Sequence, residues 1–207
     1  MQRGVAVTTF YLLVAALAGV TPAAHAQDAA ANYKGPDFDI TAASVRHDVD
    51  LNLLIFEQEV AGTAGHTVPV AAGQLDGAPV LGYVFPTSLP AEAVGFGSAT
   101  GIVALAATAH PDFDDTPLWD ENGDGDYAND VVRWQTHWVL LVGDARVPGR
   151  CSVKEFQQAD AVVLPPTNPG MPMYMDSPGF SVVTRGQAIR VIVPADRIRT
   201  GEGEPAF

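Results

Sequence analysis

The stretch Asp120-Glu121-Asn122-Gly123-Asp124-Gly125-Asp126 places oxygen-bearing side chains at every second position and sets a glycine directly after the third of them. A hard divalent cation takes roughly six to eight oxygens, and side chains at alternate positions converge on it only if the backbone then turns sharply, which glycine permits. The chemistry predicted is calcium binding. Asp120, Asn122 and Asp124 supply side-chain oxygens, Asp126 a carbonyl or carboxylate, and Asp130 reaches back to close the shell; Asp112, Asp114 and Asp115 are further donors on the same acidic segment. The same residue types also favour an ion-free turn. Clustered carboxylates repel one another at neutral pH unless a cation sits among them, which favours the ion.

This spacing resembles the first half of the EF-hand calcium loop, with Asp120, Asn122 and Asp124 at the alternating positions and Gly125 at the sharp turn. The closing glutamate of that family is replaced by Val131, with Asp130 one residue early. The family's loop lies between two helices. Here Pro111 and Pro117 precede it and a β-branched, aromatic run follows, so the expectation is an EF-type loop set into a β fold. Outside the cytoplasm calcium is abundant and steady, so the site is expected to be structural.

A second set of donors is softer. Met171, Met173 and Met175 alternate, which in an extended segment turns all three sulfurs to one side, and His66, His110 and His137 are imidazoles that could join them; His47 is the remaining histidine after the leader. Thioethers with imidazoles select copper, above all the cuprous ion. The competing reading is an apolar edge packed on the core with ordinarily hydrogen-bonded histidines. No histidine follows Cys151, so the succession of a blue-copper site is missing. Trp134-Gln135-Thr136-His137 is similar to the Trp and His pair of the MopE-type exported copper-binding proteins. There the two are separated by two positions; a separation of three puts them on opposite faces of a strand, and no ligand is carried over.

Catalytic signatures are scarce. The sequence holds no Gly-x-Ser-x-Gly elbow, no His-Glu-x-x-His, no phosphate loop and no dinucleotide fingerprint. Glu57 and Glu59 on one strand face read as a solvated pair rather than an acid/base couple. A non-catalytic binding role is expected. Trp119, Trp134 and Trp138 could stack on a sugar ring, so a calcium-dependent glycan or cell-surface partner is a third expectation.

Charge and compartment agree with a binding protein outside the cell. Lys and Arg number 11 against 24 Asp and Glu, a formal charge of −13. That sign disfavours nucleic acid and anionic membranes. Residues 1–26 read as a signal peptide: Arg3 opens it, 10–20 are apolar, and Ala24-His25-Ala26 is a small-x-small cleavage pattern. Its removal takes one Arg and no acid, leaving −14. The apolar run is too short to span a bilayer, no later segment is apolar enough to insert, and a periplasmic or secreted location is expected. Cys151 is the sole cysteine, so no internal disulfide staples the fold.

The elements that must position these groups are strands. Residues 27–36 read as a flexible lead, 37–199 as one domain and 200–207 as a loose tail. Period-two alternation marks 38–42 and 54–60, with His47-Asp48 as the turn between them; 67–71 and 80–85 follow as strands. Residues 86–97 should be irregular. The continuous apolar run 102–107 reads as a strand covered on both faces, and 131–142 as the longest and most central strand. Residues 152–158 suit a strand or a helical turn, and 161–164, 180–184 and 188–193 suit strands. Short strands, frequent Gly and Pro and no amphipathic helix predict an antiparallel β-sandwich of immunoglobulin-like or jelly-roll-like kind.

Overall fold

The computed structural model describes residues 33–69, 80–109, 134–147, 149–156 and 178–199. Among these residues two antiparallel four-stranded sheets form a sandwich-like all-β domain. The strands are β1 (Ile40–Asp48), β2 (Leu53–Val60), β3 (Leu81–Pro86), β4 (Ile102–Ala109), β5 (Gln135–Gly143), β6 (Cys151–Val153), β7 (Ser181–Arg185) and β8 (Ala188–Pro194). Sheet A runs β1-β2-β8-β7 and joins the first hairpin to the last; sheet B is the meander β3-β4-β5-β6. Among the described residues no helix is long and apolar enough to cross a membrane.

Alternation decides what each sheet buries. In β2, Leu54, Phe56, Gln58 and Val60 face sheet B, while Glu57 and Glu59 face away. Ile189, Val191 and Val193 of β8 extend this inner layer, opposed by Tyr83 and Phe85 of β3, Val103, Leu105 and Ala107 of β4, and Trp138 and Leu140 of β5. Phe56 sits between Phe85 and Trp138, with ring centroids at 5.9 and 6.3 Å and both contacts edge-on. Each such pair adds about 0.5–1.5 kcal/mol to the burial of the rings themselves. Sheet B is buried on its other face too: Val84, Ala104, Ala106, Val139 and Leu141 form a second cluster, joined by Cys151 and Val153. That is why β4 reads as an unbroken apolar run.

The sheets are staggered. The Gln58 amide, itself buried, donates to the Val84 carbonyl at 2.8 Å and so places β2 over β3, the edge of sheet B. At the other side, the Phe180 N–H bonds the Thr136 hydroxyl at 2.9 Å and Phe180 meets the Trp138 ring, which places the start of β7 over β5. Strand β1 therefore overhangs, and residues 41–46 are exposed on both faces.

Several boundaries differ from the sequence reading. His47 and Asp48 belong to β1, and the turn is 49–52, because the Asp48 carboxylate accepts the Leu51 N–H at 3.1 Å and Asn52 takes the left-handed conformation (φ 52°). Residues 67–69 are not strand: Pro69 lacks a ladder donor and the Thr67 hydroxyl is held by Asp37. Residues 86–97 contain a 3-10 turn at Ala91–Val94, closed by Gly95 with φ 99°. Trp134 precedes β5, and residues 131–133 and 161–164 lie outside the described residues.

Candidate functional site

Among the described residues a polar network that links both sheets stands at one end of the sandwich and starts from Asp37. The 3-10 turn Pro36–Phe38 presents this carboxylate to the turn after β2. Oδ1 accepts the Thr63 N–H at 2.8 Å, and Oδ2 accepts the Thr67 hydroxyl at 2.7 Å and faces His66 Nδ1 at 3.3 Å. These bonds, the Thr67 hydroxyl foremost and then the Thr63 N–H, hold the Asp37 carboxyl below its ordinary range despite partial desolvation. Gly62 lets the two segments meet: a Cβ there would stand 2.3 Å from Asp37 Oδ1 and 2.8 Å from its backbone nitrogen.

Tyr83 carries the network into sheet B. Its hydroxyl donates to the Asp37 carbonyl at 2.7 Å and accepts the Gly65 N–H at 2.9 Å. Burial pushes its pKa up to about 12, against a smaller opposing effect of the Gly65 N–H. The ring stacks on Phe38 at 5.4 Å and meets Trp134 at 4.9 Å. The Trp134 indole N–H donates to the Gly65 carbonyl at 3.3 Å, and Gly65, at φ 73°, has room for no side chain between Trp134 and Thr184.

This end is where the acidic segment leaves and re-enters the fold. Ala109 pairs with Leu81 and Gln135 with Thr108, so residues 110–133 connect two adjacent inner strands. Trp134 ties the return point to the His66 turn. Phe180, bonded to Thr136, brings in the chain that follows the methionine cluster. The anchors of three separated pieces thus stand together.

The predicted donors distribute unevenly over this frame. Asp120, Asn122, Asp124, Asp126 and Asp130, with Asp112, Asp114 and Asp115, lie outside the described residues, as do His110, Met171, Met173 and Met175. His66 lies in the turn after β2, its side chain 76% exposed and its Nδ1 toward Asp37. A carboxylate behind one ring nitrogen orients the other outward, the pairing that metal-binding histidines use. His137 is buried in β5 opposite Ala106, on the face turned away from the inter-sheet core, whereas Trp134 packs against that core. Among the described residues no three His, Cys, Asp or Glu gather closely enough to hold a metal ion. Of the tryptophans considered for sugar stacking, Trp138 is core, Trp134 is engaged by Tyr83, and Trp119 lies outside the described residues. Cys151 is half-buried against the outer cluster of sheet B, and burial raises its thiol pKa.

Sequence reasoning missed Asp37, Thr67 and Tyr83. The available signal was Gly62-Thr63-Ala64-Gly65, whose two glycines mark close approach as well as a turn. Comparison with family models, with curated proteins and with solved structures finds no match to this chain.

Proposed function

We propose that the chain is an exported calcium-binding β-sandwich protein that acts by binding and not by catalysis, with a structural ion held by Asp120, Asn122, Asp124, Asp126 and Asp130. The observation that supports this reading is the placement of the acidic segment: it is the connection between β4 and β5, two inner strands of a sheet buried on both faces. An ion that orders this connection stabilises the pairing of the two strands on which both clusters depend. Residues 110–133 hold eight Asp and Glu against one Arg, so their repulsion is relieved when a divalent cation binds.

Metal analysis of protein purified without chelator should find calcium. At free calcium about 100-fold above Kd the ion adds about 2.7 kcal/mol. For a domain of this size that is a rise in Tm of about 5–10 °C over chelated protein. Absence of calcium together with a Tm indifferent to added calcium would remove the reading.

A second reading, copper held by His66, His110, His137 and Met171, Met173 and Met175, is favoured by one observation. The His66 turn, Ala109 one residue before His110, and Phe180 five residues after Met175 are anchored at the same end of the sandwich, whereas the His137 side chain points to the outer face of sheet B. Five residues of chain span at most about 18 Å. Cuprous-ion titration should be lost in a Met173→Ala, His137→Ala double variant that remains folded, and undiminished binding there removes copper.

A further inference from the structure

Strand β1 is the outermost strand of sheet A, and among the described residues its second edge pairs with nothing. An unpaired edge offers a row of N–H and C=O groups to any extended chain, and natural proteins blunt it with short length, proline, bulges or charge. The other edges here are blunted. Strands β6 and β7 have three and five residues, and in β3 the Val84 carbonyl is taken by Gln58. Strand β1 has nine residues and no proline; its one register shift falls near its start, between Ile40 and Ala42. Its centre, Ala42-Ala43-Ser44-Val45, is small, uncharged and exposed, with Val45 at 45%.

Charge selects what this edge accepts. Among the described residues unpaired carboxylates stand at both ends of the uncharged centre, Asp39 ahead of it, Asp50 beyond it and Glu59 across from Ala42, while Asp48 is paired with Arg46 at 3.8 Å. Glu57 is neutralised by Arg190, and Arg46 is the single Lys or Arg of β1. A second copy would bring the same carboxylates, on a chain of net charge −13, so self-pairing is opposed. An extended segment with an apolar centre and Lys or Arg at its ends matches both the small centre and the acidic flanks.

We propose that β1 is a strand-addition edge for such a cationic extended segment of a partner protein. Main-chain hydrogen bonds to β1 supply the affinity, and the flanking carboxylates supply the choice of partner. Strand addition at β1 does not require an ion held by residues 110–133.

The probe is a synthetic peptide of alternating valine and threonine with two lysines at each end, titrated into the purified chain with calcium present. Its glutamate-ended counterpart and a version with a central proline are the comparisons. The lysine peptide is expected to bind saturably, to weaken with added salt, and to protect from hydrogen exchange those amides within 42–45 that point away from β2. Either comparison peptide, or a Val45→Lys variant, should bind at least roughly tenfold more weakly, while Val183→Lys on β7 leaves binding unchanged. Equal binding of the proline peptide, or binding without protection of 42–45, would show attraction without strand pairing and overturn the proposal. If Val45→Lys fails to fold, the protection experiment on the unaltered chain decides. Protection of 42–45 by self-association in the absence of peptide would overturn it equally.

Discussion

Replacing Tyr83 by Phe removes one oxygen and leaves the ring, which makes it a clean probe of the network at the root of the acidic segment. The hydroxyl joins the Asp37 carbonyl (2.7 Å) to the Gly65 N–H (2.9 Å), and Gly65 in turn receives Trp134. Two hydrogen bonds at about 0.5–1.5 kcal/mol each, with partners left partly buried, give an expected loss of about 2 kcal/mol. For a domain of this size that is about 4–8 °C in Tm. Stacking on Phe38 and Trp134 is retained, so the denaturant m-value should not change.

The same variant has an alkaline signature. Burial raises the Tyr83 pKa from near 10 to about 12, so its contribution is fully present below pH 10 and is lost as pH rises through about 12. In Tyr83→Phe that alkaline decline should flatten, and spectrophotometric titration should lose one late-titrating tyrosine. Denaturant unfolding at neutral and alkaline pH measures both effects. A loss below about 0.5 kcal/mol, or an alkaline limb identical to that of the parent, would refute the assignment of a bridging role to the hydroxyl.

The remaining expectations are more direct. Gly62→Ala forces a Cβ into the Asp37 carboxylate and backbone, and chemical denaturation should show a loss of about 2–3 kcal/mol, at the high end for a single substitution. Asp37 is held below its ordinary pKa, so its contribution is present above about pH 4 and is lost as pH falls through its lowered folded value; Asp37→Asn should weaken the fold at neutral pH and flatten its acid limb in thermal melts. Trp138→Ala empties the site between Phe56 and Phe180 and should cost about 3–5 kcal/mol by equilibrium unfolding. Cys151, half-buried with a raised pKa, should be alkylated more slowly than a free thiol at pH 8 and accelerate when denaturant is added.

Where the chain alternates or runs apolar, the strands were legible in advance. The alternation of Leu54, Phe56, Gln58 and Val60 fixes which face of β2 is buried, and the unbroken run in β4 requires cover on both sides. The turn between β1 and β2 was misplaced because Asp48 serves as both a strand residue and a cap for the turn that follows. Asp37 was invisible among 24 acids: its role depends on Thr63, Thr67 and Tyr83, the last of them 46 positions away, and no local pattern records such a meeting.

Taken alone, the residue order determined the all-β class, the acidic character and the presence of one segment with the donor spacing of a calcium loop, because these depend on near neighbours and on composition. Folding decided the rest. It set that segment between two strands buried on both faces, tied its return point to the His66 turn through Trp134 and Gly65, and left β1 beyond the reach of the second sheet. The stagger of two sheets follows from which side chains interlock across them, Gln58 over Val84 and Phe180 over Trp138, and those contacts join residues far apart along the chain.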